Sequence, residues 1–358
     1  MCYNVSILRE KTISREYSMS QKKNVRIKDI AERAGVSIST VSNVLTGKRQ
    51  QNSEAGRRVL EVAAELGYIT NSAAAKPAVH FVVYKKSGQV VMDTPFFSEL
   101  FSGIEHACAS RGYALTFSFI DSAHDPDYED RLNALLSDPA APLLVLATEM
   151  CKEDLAPFRG YRGPLVMLDS LFQTEQFNTI SIDNYAAGWQ GGEILMSHGH
   201  TRAGLITSSI VFNNMLYRNR GFKSALRSQG IALLDEDVFA VEPTMDGSYR
   251  DMLRLLERRK RPLPTGFFAV NDIMAAGAMR ALAERGVRIP EDVSIVGMDN
   301  MPFGRITAPA LTTLDVPKRQ ISELAVERLI RIAENPDNLC LKTVVQTTPV
   351  LRDSVKTL

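Results

Sequence analysis

Two groups of residues in this chain have the types and spacing to do chemistry. The first is a run of hydroxyl and amide side chains, Ser37, Ser39, Thr40, Ser42 and Asn43, gathered on one short helical stretch of IKDIAERAGVSISTVSNVL. Ser37 is placed to cap that helix by accepting hydrogen bonds from its free backbone N–H groups. The helix from Ile38 to Leu45 is then the one presented to the major groove of DNA. The second group stands at the ends of apolar runs: Asp93, Phe96 and Phe97 in MDTPFF, Asp169 closing LVMLD, Asn271 after GFFAV and Asp299 after SIVGM. Carboxylates and amides match hydroxyls, flat rings match C–H faces, and open α/β sheets place their ligands at strand ends. A polyhydroxylated small molecule suits this set. Other readings stand beside it: Phe96 as a core residue, Asn271 or Asp272 as a helix cap. Paired carboxylates also hydrolyse glycosides, so Asp93, Asp169 and Asp299 keep a sugar-processing enzyme as the alternative.

These residues need elements to position them. From Val25 to Tyr68 the pattern is three short helices, KDIAERA, STVSNVL and GRRVLEVAAELGY, which make a small helical module. Ala31 is small enough for two helices to approach, Gly35 supplies the positive φ of the turn, and Val36 and Val41 point into the miniature core. ITNSAAAKPA then reads as a linker. From His80 onward short apolar runs alternate with amphipathic stretches: HFVVYK, ALTFSF, LLVLA, LVMLD and TISID, then AGLIT, DVFAV, GFFAV and VSIVGM. Helices are expected near Phe97, Asp127 and Asp154, and over Asn184 to His198, Tyr217 to Gln229, Ser248 to Glu257 and Asp272 to Arg285. Such alternation predicts parallel sheets covered by helices, and two runs of it predict two lobes. The expected fold is an all-α helix-turn-helix head at 25–69, a linker at 70–79, and an α/β domain at 80–358. Its two doubly wound lobes take about 80–182 with 315–343, and 183–314 with 344–358.

Composition narrows the function. The 358 residues carry a net charge of +1, but the charge is unevenly placed. Between Ser20 and Lys76 lie Lys22, Lys23, Arg26, Lys28, Arg33, Lys48, Arg49, Arg57, Arg58 and Lys76 against only Asp29, Glu32, Glu54, Glu61 and Glu65, a basic head suited to phosphate. Cys2, Cys108, Cys151 and Cys340 lack paired spacing, so neither a disulfide framework nor a zinc site is expected, and a cytoplasmic setting fits. His198 and His200 form an HGH pair in a helix-to-strand turn, read as a cap rather than a metal site. No glycine fingerprint follows a strand, so no nucleotide cofactor is expected. No run is long enough to span a membrane, and MCYNVSILREKTISREYS is too broken for a signal peptide. Residues 1–24 read as a disordered extension, with Met19 as a natural start. A transport-type sugar-binding protein would share the lobes but carry a signal peptide and no head.

Val25 to Asn71 closely resembles the DNA-binding head of the lac repressor (LacI/GalR) family. The resemblance implies that Ile38, Ser39 and Asn43 face base edges, and that Ser37, Thr40, Ser42, Tyr68 and Asn71 hold phosphates. It continues more loosely through IDNYAAGWQGGEIL, RNRGFKSAL, VNDIMAAGAMRAL, VSIVGMDN and LTTLDVP, and implies the fold of the type I periplasmic sugar-binding proteins. Arg218 matches the family's effector-contacting arginine, Asn214 lies one helical turn before it, and Asn271 and Asp299 stand at ligand positions; an ion pair between Asp299 and Arg218 is the other reading. The family's expected partners follow: a pseudo-palindromic operator, a second copy of the chain, and a sugar-like effector that alters DNA affinity. The chain departs from the family pattern at Arg26, a phosphate-reaching cation in place of threonine, and around the third helix. Asn52 can cap that helix, Gly56 weakens it, and Thr70 replaces a proline. Pro77 stands where the family places the leucine of its hinge helix, and so ends or replaces that helix.

Overall fold

The computed structural model describes residues 27–45, 53–66, 77–89 and 95–358. The chain divides into two compact units, Met1–Ala75 and Lys76–Leu358. In the first, α1 (Ile27–Ala34), α2 (Ile38–Leu45) and α3 (Glu54–Glu65) enclose Ile30, Ala31, Ala34, Val41, Val44, Val59, Val62 and Ala63, with Val36 partly buried beside them. Gly35 takes φ +67° between α1 and α2, a turn that a side chain would strain. Ser53 caps α3, its hydroxyl accepting the Gly56 N–H at 3.1 Å; Asn52 lies outside the described residues. Gly56 therefore lies in the first turn, where its N–H is bonded to a cap instead of to the helix.

The second unit begins with β1 (Ala78–Lys85), two residues inside the stretch read as linker. Pro77 is exposed and lies in no helix; its carbonyl accepts the Ala114 N–H at 2.9 Å, extending the pairing between β1 and β2 (Ala114–Asp121). The first lobe continues with α4 (Pro95–Ser110), α5 (Tyr128–Leu136), β3 (Leu143–Leu146), β4 (Leu165–Leu168) and β5 (Asn178–Ile182). No α-helix forms near Asp154. Pro157 follows the three-residue 3₁₀ turn Glu153–Leu155 and opens another at Pro157–Gly160, and a ring there denies the backbone bond that a longer helix needs.

Chain direction then carries into the second lobe: α6 (Asn184–Ser197), β6 (Ala203–Ser208), α7 (Asn213–Ser228), β7 (Val238–Val241), α8 (Met245–Arg258), β8 (Gly266–Ala269), α9 (Asp272–Glu284) and β9 (Ser294–Val296). The chain returns through β10 (Thr313–Asp315) to α10 (Lys318–Glu334) and β11 (Lys342–Val345), then crosses again to β12 (Thr348–Val350), which pairs antiparallel with β10. β11 joins β5 in the first lobe's sheet, so residues 344 and 345 belong there and not with the second lobe. His198 caps α6, its Nδ1 lying 2.7 Å from the Ile194 carbonyl.

Both sheets are parallel, ordered β11-β5-β4-β3-β1-β2 and β7-β6-β8-β9. Strands such as β3, β4 and β8 are buried at every position, which is why they read as unbroken apolar runs rather than alternating ones. In each lobe the first strand lies between the second and the third, and the order reverses there. That reversal opens a crevice at the carboxyl ends of the strands.

One helix contact sets the shape of the second lobe. A Cβ on Gly188 of α6 would stand 1.9 Å from the Arg218 carbonyl oxygen of α7, and one on Gly221 of α7 would stand 1.9 Å from the Tyr185 carbonyl oxygen. The two backbones touch because neither residue has a side chain. Gly188→Ala is expected to cost about 1–3 kcal/mol, the usual range for overpacking a core, measured by urea unfolding of the full chain. A loss under about 0.5 kcal/mol would show that α6 and α7 separate freely.

Candidate functional site

In the head, the turn between α1 and α2 delivers Ser37 to the start of α2. Its Oγ accepts the Thr40 N–H at 3.1 Å and lies 2.8 Å from both Ser39 Oγ and Thr40 Oγ1, so one cap orders three hydroxyls at the helix N-terminus. Ser37, Ile38 and Ser39 are exposed and Thr40 half-buried; Ile38 is 54% exposed. An isoleucine left that bare on a helix with a buried opposite face offers an apolar contact outward. The side chains of Ser42 and Asn43 lie outside the described set, as do Arg26, Tyr68 and Asn71.

The second site lies between the lobes. Phe96, Phe97, Thr148 and Asp169 from the first lobe and Phe212, Asn214, Met215, Arg218, Asn271 and Asp299 from the second enclose a cavity of about 40 Å³. Seven of the eight candidate ligand residues therefore meet in one place; the eighth, Asp93, lies outside the described residues. Thr148, Phe212 and Met215 were not singled out in sequence. Thr148 and Phe212 follow strands only by a residue or a short loop, and a strand-end rule applied to every strand would have included them.

Each polar group is held from behind. Arg218 is buried; its Nε donates to Asn184 Oδ1 at 2.8 Å and its Nη1 to the Val270 carbonyl at 2.6 Å. Among the described residues no carboxylate lies within ion-pair distance of it, so the ion pair with Asp299 does not form. Asp169, at φ 69°, accepts the Thr148 hydroxyl at 2.7 Å, and Asn214 Nδ2 donates to its carbonyl at 2.6 Å and stands 3.3 Å from its Oδ2. Asn213 reaches the Leu171 carbonyl at 2.8 Å. These bonds cross between the lobes, and they explain why α7 starts at Asn213 rather than near Tyr217: two asparagines that look like loop residues are tied down by the opposite lobe. Asn214 Oδ1 is buried without a hydrogen-bond partner.

Asn271 does cap α9, its Oδ1 accepting the Met274 N–H at 2.9 Å, and this leaves its amide nitrogen for the cavity. Asp299 takes φ 108°, a conformation costing about 1–3 kcal/mol outside glycine that persists where the surroundings impose it. Its carbonyl accepts Lys318 Nζ at 3.0 Å, while that ammonium also pairs with Glu99 at 3.2 Å and lies over the Phe96 ring. Phe96 and Phe97 pack edge to face with centroids 5.1 Å apart.

The electrostatics follow from burial. Asp169 is pushed up to about 6 by desolvation, against the pull of the Thr148 hydroxyl, the Arg218 charge and Asn214. Asp299 is raised to about 6 by desolvation, with Arg218 and Lys318 opposing and Asp169 adding to the rise. Behind them Asp272 is raised to about 8 by burial and then by Asp299, although its carboxyl accepts the Thr313 hydroxyl and the Met301 N–H.

Ser37→Ala removes a cap and should destabilise the head by about 1 kcal/mol in thermal unfolding. Ile38→Ala should change head stability by less than about 0.5 kcal/mol and change discrimination among operator sequences. In the cleft, the unfolded chain releases the aspartate protons near 3.8, whereas the folded chain keeps those of Asp169 and Asp299 to about 6. The folded chain binds more protons between these values, so the stability linked to these carboxyls is complete below pH 4 and is lost as pH climbs through 6. Asp299→Asn should therefore raise Tm at pH 7.5 and lose that advantage as pH falls toward 4; an unchanged Tm at pH 7.5 would mean the carboxyl is not destabilised by burial.

Comparison with known proteins agrees with this architecture. Residues 26–71 match the family of bacterial regulatory proteins, lacI family, and residues 193–355 match the periplasmic binding protein-like domain. The chain is 32% identical over 309 residues to the HTH-type transcriptional repressor PurR of Serratia proteamaculans, covering 85% of this chain and 89% of the relative. It is 31% identical over 335 residues to the ribose operon repressor of Haemophilus influenzae, covering 93% and 99%. A structure of the lac repressor dimer bound to operator and the anti-inducer ONPF aligns with TM-score 0.71 at 23% identity over 93% of this chain and all of that one. A complex of the transcriptional regulator CelR with cellobiose gives 0.69 at 23% identity, over 92% of this chain and 99% of that one. The chain belongs to the LacI family of bacterial regulatory proteins and is a DNA-binding transcription regulator.

Proposed function

We propose that this protein is a repressor that binds a pseudo-palindromic operator as a homodimer in the cytoplasm, and whose DNA affinity is set by a sugar or sugar derivative held between its lobes. In this reading Ile38, Ser39 and Asn43 read bases, and Arg26, Ser37, Thr40, Ser42, Tyr68 and Asn71 hold phosphates. Asp93, Phe96, Phe97, Asp169, Asn214, Arg218, Asn271 and Asp299 contact the effector. The inter-lobe cavity is the observation that carries the reading: polar groups fixed from behind, with aromatic faces beside them. One head covers too few base pairs for specificity, and a two-fold pair matches a palindrome. Relatives named as repressors, and the cellobiose and ribose present in related structures, support the same assignment.

Size supplies the mechanism. A cavity of about 40 Å³ holds about one water, while ligand sites run to about 300 Å³ or more. Occupancy therefore requires the cavity to widen from the arrangement described, and the effector acts through its different affinity for the two arrangements. In a thermal-shift screen of sugars, at least one should raise Tm, remain chemically unchanged, and alter operator Kd by about 5-fold or more. Operator binding should also weaken linearly in log–log terms with added salt. A sugar that binds tightly while leaving operator affinity unchanged would sink the reading.

A further inference from the structure

The cleft also bears on the charge of its occupant, an inference that rests on the effector reading above. The cavity wall carries one cation, Arg218, against two carboxylates, Asp169 and Asp299. Two of the guanidinium nitrogens already serve Asn184 and Val270. The nearest further cation, Lys318, is buried and held by Glu99 and the Asp299 carbonyl. Three helix N-termini, which can attract an anion, also reach the wall: α4 at Phe96 and Phe97, α7 at Asn214 and α9 at Asn271. At α7 the Asn214 amide already holds the Asp169 carboxylate and carbonyl, and at α9 the Asn271 side chain already accepts the Met274 N–H. The wall is thus short of positive charge for a phosphate or a carboxylate.

Its polar demand runs the other way. Asn214 lines the cavity at 4% exposure; its Nδ2 is committed to Asp169 across the lobes and its Oδ1 is buried without a partner. The Asp299 carboxylate accepts from no side chain among the described residues, and Asp169 accepts from two. A buried acceptor without a donor, as Asn214 Oδ1 is, is costly. A bound molecule that brings several O–H donors relieves it; one that brings more acceptors does not.

From this geometry we infer that the effector is an uncharged polyhydroxy compound, neither phosphorylated nor carboxylated, and that one of its hydroxyls donates to Asn214 Oδ1. Like charges forced together in a buried site cost several kcal/mol, which corresponds to a discrimination of about 100-fold or more.

The test is isothermal titration calorimetry of the full-length protein at pH 7.5 with D-ribose, D-glucose, D-galactose and cellobiose, with ribose 5-phosphate, glucose 6-phosphate and D-gluconate, and with hypoxanthine as a planar, uncharged ring lacking hydroxyls. A neutral sugar should bind, and its phosphorylated or carboxylated counterpart should bind about 100-fold more weakly or not at all. Asp299→Asn, by removing one negative charge from the wall, should narrow that gap. Asn214→Ala should weaken the neutral sugar, and one member of its monodeoxy series should bind parent and variant equally, a result that a general loss of folding would not give. Tighter binding of a phosphate or carboxylate, or binding of hypoxanthine alone, overturns this inference and leaves the effector reading standing. Binding of nothing in the panel overturns the effector reading, and this inference falls with it.

Discussion

The close crossing of α6 and α7 is the constraint on which the ligand cleft depends. Gly188 and Gly221 let the two backbones meet, with projected Cβ positions 1.9 Å from the opposing carbonyls. That contact sets where Arg218 leaves α7, and Asn184, at the start of α6, then receives its Nε. A buried guanidinium is tolerated only when its donors are satisfied. Here the satisfaction comes from a neutral amide and a carbonyl, while the charge itself acts at a distance on the Asp169 and Asp299 carboxyls.

The same logic accounts for the aspartates. Asp169 and Asp299 follow β4 and β9 in the two sheets, and both sit at positive φ. A strand that ends in this conformation turns its last side chain across the crevice instead of along the sheet. The backbone cost is borne by the packing of the strands behind, which are fully buried. Burial then raises both carboxyls toward neutrality. The folded cleft thus holds both carboxyls at a cost that burial sets.

How much of this was legible in the sequence depends on the range of the interaction. The Ser37 cap and the Gly35 turn are local, decided within four residues, and were readable. Strands buried on both faces announced themselves as apolar runs, and most cleft residues were found because parallel sheets place ligands at strand ends. Long-range effects were not readable. Nothing near Asn213 marks it as helical, since the bonds that hold it come from Leu171 in the other lobe. Lys318 gave no signal because its meaning depends on Glu99 and Asp299, far away in the chain. The shared strand order of the two lobes left no sequence repeat, because topology constrains which strands are neighbours and not which residues they contain.

Pro77 shows how a departure from a family pattern can be understood once its hydrogen bonds are counted. In sequence it stands where a hinge helix would run, and a proline there would remove one donor and crowd the preceding turn. In the fold it needs no donor: its carbonyl pairs with Ala114 and the next residue is already in β1. An imide at the entry of a strand costs the sheet nothing, because the ladder begins with its acceptor. The boundary between linker and lobe is therefore sharp.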